Sequence, residues 1–203
     1  MKIFSKRQFL LYIFFLATIV VLVSPAQATL VRSMNIQEIV GDAQYIIKAT
    51  VISRDTALDK EESGHIVTYY TVKVHEWLKG TPTDDNELVF KQIAQGQFTL
   101  NGEQIRQQLF FPEYEVGKTY VLFLPEAHAR TGMLAPVGLQ QGVFDVITEN
   151  GHDVIPQLKS RAGLLKTRLS TSKNKFLLFH INTVQNDDSY ENFKTIIEAA
   201  GSK

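Results

Sequence analysis

The run VTYYTVKVHEWLKG, Val67 to Gly80, constrains the fold more than any other stretch of the chain. β-branched and aromatic residues alternate with polar ones at period two, the pattern of a strand buried on one side. It predicts Tyr70, Val72, Val74 and Leu78 on one face and Thr71, Lys73, His75 and Trp77 on the other. A strand this long needs neighbours, because an isolated hairpin is barely stable in water. The chain has no cysteine, so no disulfide or thiolate metal site can hold that sheet and an apolar core must.

Further strands are legible around it. Tyr45, Ile47, Ala49 and Val51 alternate with Lys48 and Thr50, and ELVFKQI reads as a strand around Leu88 and Phe90. Tyr120 to Leu124 is apolar on both faces, the mark of a central, covered strand, and Pro125 ends it. Asn101-Gly102 and Asn150-Gly151 each lie between β-compatible runs, and both residue types accept the positive φ of a tight hairpin. Short strands are expected on either side of Gly138 and Gly142.

Helices are expected only near the ends. Asn35 with Glu38 forms an Asn version of the capping box, and Ile36, Ile39, Val40 and Ala43 recur at helical spacing up to a stop at Gly41-Asp42. Asp188 with Glu191 repeats the capping signal ahead of an apolar stripe of Phe193, Ile196, Ile197 and Ala200. The fold class is therefore mainly β, an antiparallel sandwich or small barrel with a short N-terminal helix and a C-terminal helix.

Before the first helix, Lys2, Lys6 and Arg7 precede an apolar run of 15 residues, Phe9 to Val23, and then Ala26-Gln27-Ala28. This is the layout of a secretory signal peptide, and the run is shorter than the ~20 residues of a membrane-spanning helix. Residues 1–28 are thus expected to direct export to the periplasm or the extracellular space and to be cleaved after Ala28, the alternative being an uncleaved N-terminal anchor, and the apolar segment is the only expected membrane contact of any strength. Four segments follow: the signal, a barrel domain at 29–156, a basic linker at 157–186 and the terminal helix at 187–203. Without Lys2, Lys6 and Arg7 the 21 cations fall to 18 against 21 Asp and Glu, an acidic balance that gives no pull toward nucleic acid. The 159–175 stretch, with Lys159, Arg161, Lys166, Arg168, Lys173 and Lys175, reads as a solvated connection carrying a short helix around Leu164 to Leu169, or as weak contact with an anionic surface.

No pattern of catalytic chemistry stands out. There is no G-x-S-x-G, no H-E-x-x-H and no phosphate-binding glycine loop, and His65, His75, His128, His152 and His180 are scattered. The acidic pairs Glu61-Glu62, Asp84-Asp85 and Asp187-Asp188 lack the spaced ligands of a calcium loop. Catalytic residues, cofactor and metal are each assigned as none. His75, Trp77 and Tyr69 remain as candidate partner contacts on the long strand.

The segments NIQEIVGDAQYIIKATVIS, IVTYYTVKVHEWLKG, YEVGKTYVLFL and VGLQQGVFDV, between residue 33 and about residue 148, resemble in order those of a group of uncharacterised bacterial exported proteins. The KG and QG dipeptides are the more specific elements of that likeness. The first half also resembles the N-terminal domain of the tissue inhibitors of metalloproteinases and the netrin modules. That likeness implies an OB-type barrel, with Thr68 to Leu78 a long curved strand and Lys79-Gly80 its exit turn. Those inhibitors act through an N-terminal cysteine, which this chain does not have, so no functional residue carries over.

The expected function is that of an exported, non-enzymatic β-domain that binds a protein or a cell-envelope component. The alternatives are a hydrolase with a dispersed site and a peptidase inhibitor acting through its loops.

Overall fold

The computed structural model describes residues 32–59, 65–82, 85–107, 111–161 and 187–201. The signal segment, the acidic loop at Glu61-Glu62, His180 and the basic stretch from 162 onward lie outside the described residues. Helix α1 is Ile36–Asp42, and both halves of its capping box form: Asn35 Oδ1 accepts from Glu38 N, and Glu38 Oε2 accepts from Asn35 N. Its Ile36, Ile39 and Val40 are buried.

The strands are β1 (Tyr45–Leu58), β2 (Ile66–Lys79), β3 (Glu87–Ile93), β4 (Gly96–Leu100), β5 (Glu103–Gln107), β6 (Thr119–Leu124), β7 (Val143–Glu149) and β8 (His152–Val154). Six of them form one antiparallel sheet in the order β3-β2-β1-β6-β7-β8, and β4-β5 is a separate hairpin. The protein is thus mainly β with helices. The sheet is open at β3 and β8, and among the described residues no pairing closes it into a barrel. Both hairpin signals are realised: Asn101 and Gly102 take φ 52° and 85°, Asn150 and Gly151 take 52° and 81°. The stretch before Gly142 differs from expectation. Gly138 and Leu139 both adopt positive φ, which no strand permits, and the chain winds through a 3-10 turn at Leu139–Gly142 into β7.

Both faces of the sheet are buried over much of its area. On one, Ile46, Val121, Phe123, Phe144 and Val146 pack against α1 and the terminal helix α3 (Tyr190–Gly201), which contributes Tyr190, Phe193, Ile196 and Ile197. On the other, Ile47, Ala49, Val51, Tyr70, Val72, Val74, Phe90 and Leu122 enclose Tyr114, whose ring stands edge-on to Tyr70, Phe90 and Tyr120. β6, central as its two-sided apolarity requires, serves both cores.

The alternation of β2 is interrupted. Ala49 pairs with Val74 but Lys48 with Glu76, so His75 is an extra residue, and Leu78 is skipped between Ile47–Trp77 and Ile46–Lys79. Each bulge flips the phase. Trp77 therefore joins the Tyr70 side, edge-on to Tyr45 at 6.1 Å, and Leu78 joins the helix side. This reverses the expected placement of both residues.

The terminal helix starts later than its capping signal suggests. Ser189 Oγ accepts from Asn192 N, while Asp188 pairs with Lys159 at 2.8 Å and gives its carbonyl to Ile155 N. A short helix, α2 (Gln157–Ser160), precedes Arg161, whose guanidinium donates to the Gln140 and Val143 carbonyls and lies over the Phe144 ring. Arg161 is thus an anchor on the sheet rather than part of a solvated connection.

Candidate functional site

The helices cover only part of their side of the sheet. Where they stop, the cross-strand register brings Lys73 of β2, Thr50 of β1 and Thr119 of β6 into one row. Thr50 Oγ1 lies 2.7 Å from Thr119 Oγ1 and 2.7 Å from His75 Nε2. Extra as a bulge residue, His75 is exposed and leans over this row instead of sitting opposite a partner. Strands β1 and β6 are paired on both sides, so the groups stand on a rigid support.

The border toward α3 is a charged network. Lys48 Nζ binds Asp153 Oδ2 at 2.5 Å and lies 4.1 Å above the Tyr190 ring; Thr148 Oγ1 donates to Asp153 Oδ1. Tyr190 donates its hydroxyl to Glu76 Oε2 at 2.6 Å, and Lys194 closes on Glu76 Oε1. The Lys48 hydrogen bond holds Asp153 below the ordinary carboxylate range against partial burial, with Thr148 and the charges of Lys48 and His75 adding to it. Burial pushes Glu76 up, but the hydrogen bonds from Lys194 and Tyr190 outweigh it and leave Glu76 low. Burial and the hydrogen bond to Glu76 together push the Tyr190 hydroxyl far up, so it stays protonated as a donor.

Among the expected contact residues, only His75 faces outward at this place. Trp77 is half-buried, with its Nε1 enclosed and unpaired, and Tyr69 donates its hydroxyl at 3.1 Å to Asp59. Asp59 is buried and pairs at 2.9 Å with Lys91, itself buried. Sequence reading did not find Glu76, Tyr190 or Lys194. A signal for Glu76 exists: apolar residues at 70, 72 and 74 predict another at 76, and an acid stands there, as happens where a bulge shifts the phase.

Chemically, a hydroxyl within reach of an imidazole is the first contact of an acyl-transfer site. Among the described residues the rest of such a site is not assembled around it. No carboxylate meets the second nitrogen of His75 among the described residues, and the main chain at Thr50 is engaged in ladders on both sides rather than presenting N–H groups to an oxyanion. Among the described residues no group of three or more His, Asp or Glu is close enough to hold a metal ion, and no helix is long and apolar enough to cross a membrane.

No family model, curated protein or solved structure matches this chain.

Proposed function

We propose that the chain is an exported, non-enzymatic β-domain that works by binding a protein or a cell-envelope component through the open polar half of its sheet around His75. The observation that carries this reading is the row Lys73, Thr50 and Thr119 with His75 above it: pre-positioned hydrogen-bonding groups on paired strands, uncovered by either helix. Such a surface suits recognition, because the rotamers of Thr50, Thr119 and His75 are already held by their hydrogen bonds to one another and little of their entropy is lost on contact. The long β1–β2 pair with its bulges supports reading the sheet as an opened barrel of the OB type, since bulges are the devices by which strands curve.

The test is photocrosslinking in intact cells, with p-benzoylphenylalanine placed at Lys73 and, as a control, at Asn101 on the far hairpin. The expected result is one adduct from position 73 that disappears when His75→Ala and Thr50→Val are added, with unchanged thermal stability. Equal adducts from both positions, or none, would sink the proposal. Turnover of an ester, peptide or glycoside panel that is abolished by His75→Ala would replace it with the hydrolase reading.

A further inference from the structure

A second place lies on the β3 edge of the sheet. The main chain of β3 alternates: Ala94 N donates to Ile66 O and Val74 N donates to Asn86 O, so the even-numbered positions turn toward β2. Val89, Lys91 and Ile93 consequently turn their N–H and C=O groups to the outer edge. There the segment after β6 approaches once, in a parallel bridge between Lys91 and Met133 with Leu134 N donating to Lys91 O at 2.8 Å. Beyond that bridge a cleft of about 310 Å³ opens beside Ile93, walled by Phe111 and Met133 and lined also by exposed His128 and buried Gln92.

Three features say what would fill it. Gln92 is only 2% exposed and gives its Nε2 to Pro112 O, yet its Oε1 has no donor. The flanking loop is preformed, with His128 N on Met133 O, Gly132 N on His128 O and Thr131 Oγ1 3.2 Å from His128 Nδ1. From Ala127 to Leu139 the chain carries His128 and Arg130 and no acid. The volume is at the small end for a ligand pocket, the size of one large side chain rather than a cofactor. An extended backbone can meet the N–H and C=O that Ile93 turns outward at the end of β3.

We propose that this cleft binds an extended peptide segment of a partner protein, which adds to the β3 edge at Ile93, inserts one large apolar side chain between Phe111 and Met133, and sets an acidic residue toward His128 and Arg130. This site is independent of His75.

The experiment is a titration of the purified 15N-labelled chain with an acetylated, amidated pentapeptide of valine and aspartate around a central phenylalanine. The expected result is saturable shifts of the Ile93, Thr131 and Met133 amides, with affinity falling about tenfold or more for central alanine, for lysine in place of aspartate, and for a backbone N-methylated peptide. Phe111→Ala weakens binding to a similar degree with the amide spectrum otherwise retained, and His75→Ala leaves it unchanged. Absence of saturable shifts, equal binding of the N-methylated peptide, or equal binding of phenylalanine amide alone would overturn the proposal.

Discussion

Lys79 and Gly80 both fasten the end of β2 to its surroundings. Lys79 Nζ donates to the Val40 carbonyl at 2.8 Å, binding the open end of α1 to β2. Gly80 has φ 100°, and a Cβ there would stand 2.5 Å from Tyr45 Cδ1. Gly80→Ala is therefore expected to cost about 1–3 kcal/mol, read as a lowered urea midpoint with an unchanged slope. Gln141-Gly142 has a matching role: Gln141 takes Met34 N on its Oε1 and donates to the Arg32 carbonyl, fastening the segment that leads into α1. The backbone at Gly142 is so close to Val137 O that a Cβ would meet it at 2.4 Å. Both dipeptides thus brace the helix end of the sheet, and neither touches His75.

Among the elements, α3 depends most on packing. Phe193 is fully buried and its ring meets those of Phe144 and Phe123. Phe193→Ala is expected to cost about 3–5 kcal/mol, and hydrogen exchange in α3 should rise ahead of that in β6. At α1, Asn35→Ala removes the side-chain half of the capping box and should cost about 1 kcal/mol by thermal melting. The two helices were legible because their apolar residues recur at helical spacing and their caps are local. The start of α3 was misread by one residue because Asp188 is drawn away by Lys159, a partner that lies 29 residues earlier in the sequence.

Over the whole molecule, acid stability should follow the carboxylates that tie α3 to β2, β8 to β1 and the residue pair before α3 to α2. Glu76, Asp153 and Asp188 are all held below their ordinary values. A depressed folded-state value stabilises the native state above the unfolded value and loses that contribution as pH falls through the folded one. Unfolding free energy should therefore decline below pH 4.5 for Glu76 and below pH 3.8 for the two aspartates. Glu76→Gln should flatten the upper part of that decline in pH-dependent urea titrations. Tyr69 bears on the whole fold in a different way, as a ligand to the buried Asp59–Lys91 pair. Tyr69→Phe should lower stability by about 0.5–1.5 kcal/mol while leaving the adduct at Lys73 intact.

The amino-acid sequence by itself determined the alternating strands, the central place of β6, both Asn-Gly hairpins and the apolar stripes of the helices, since each depends on propensities and periods within a few residues. The tertiary structure alone decided the face on which Trp77 and Leu78 lie, the openness of the sheet and the union of Glu76 with Tyr190 and Lys194 across more than a hundred residues. A bulge is a property of two paired strands, because an extra residue exists only relative to the partner that skips it. That is why VTYYTVKVHEWLKG announces a strand plainly, and why the faces taken by Trp77 and Leu78 emerge only when β1 is laid beside it.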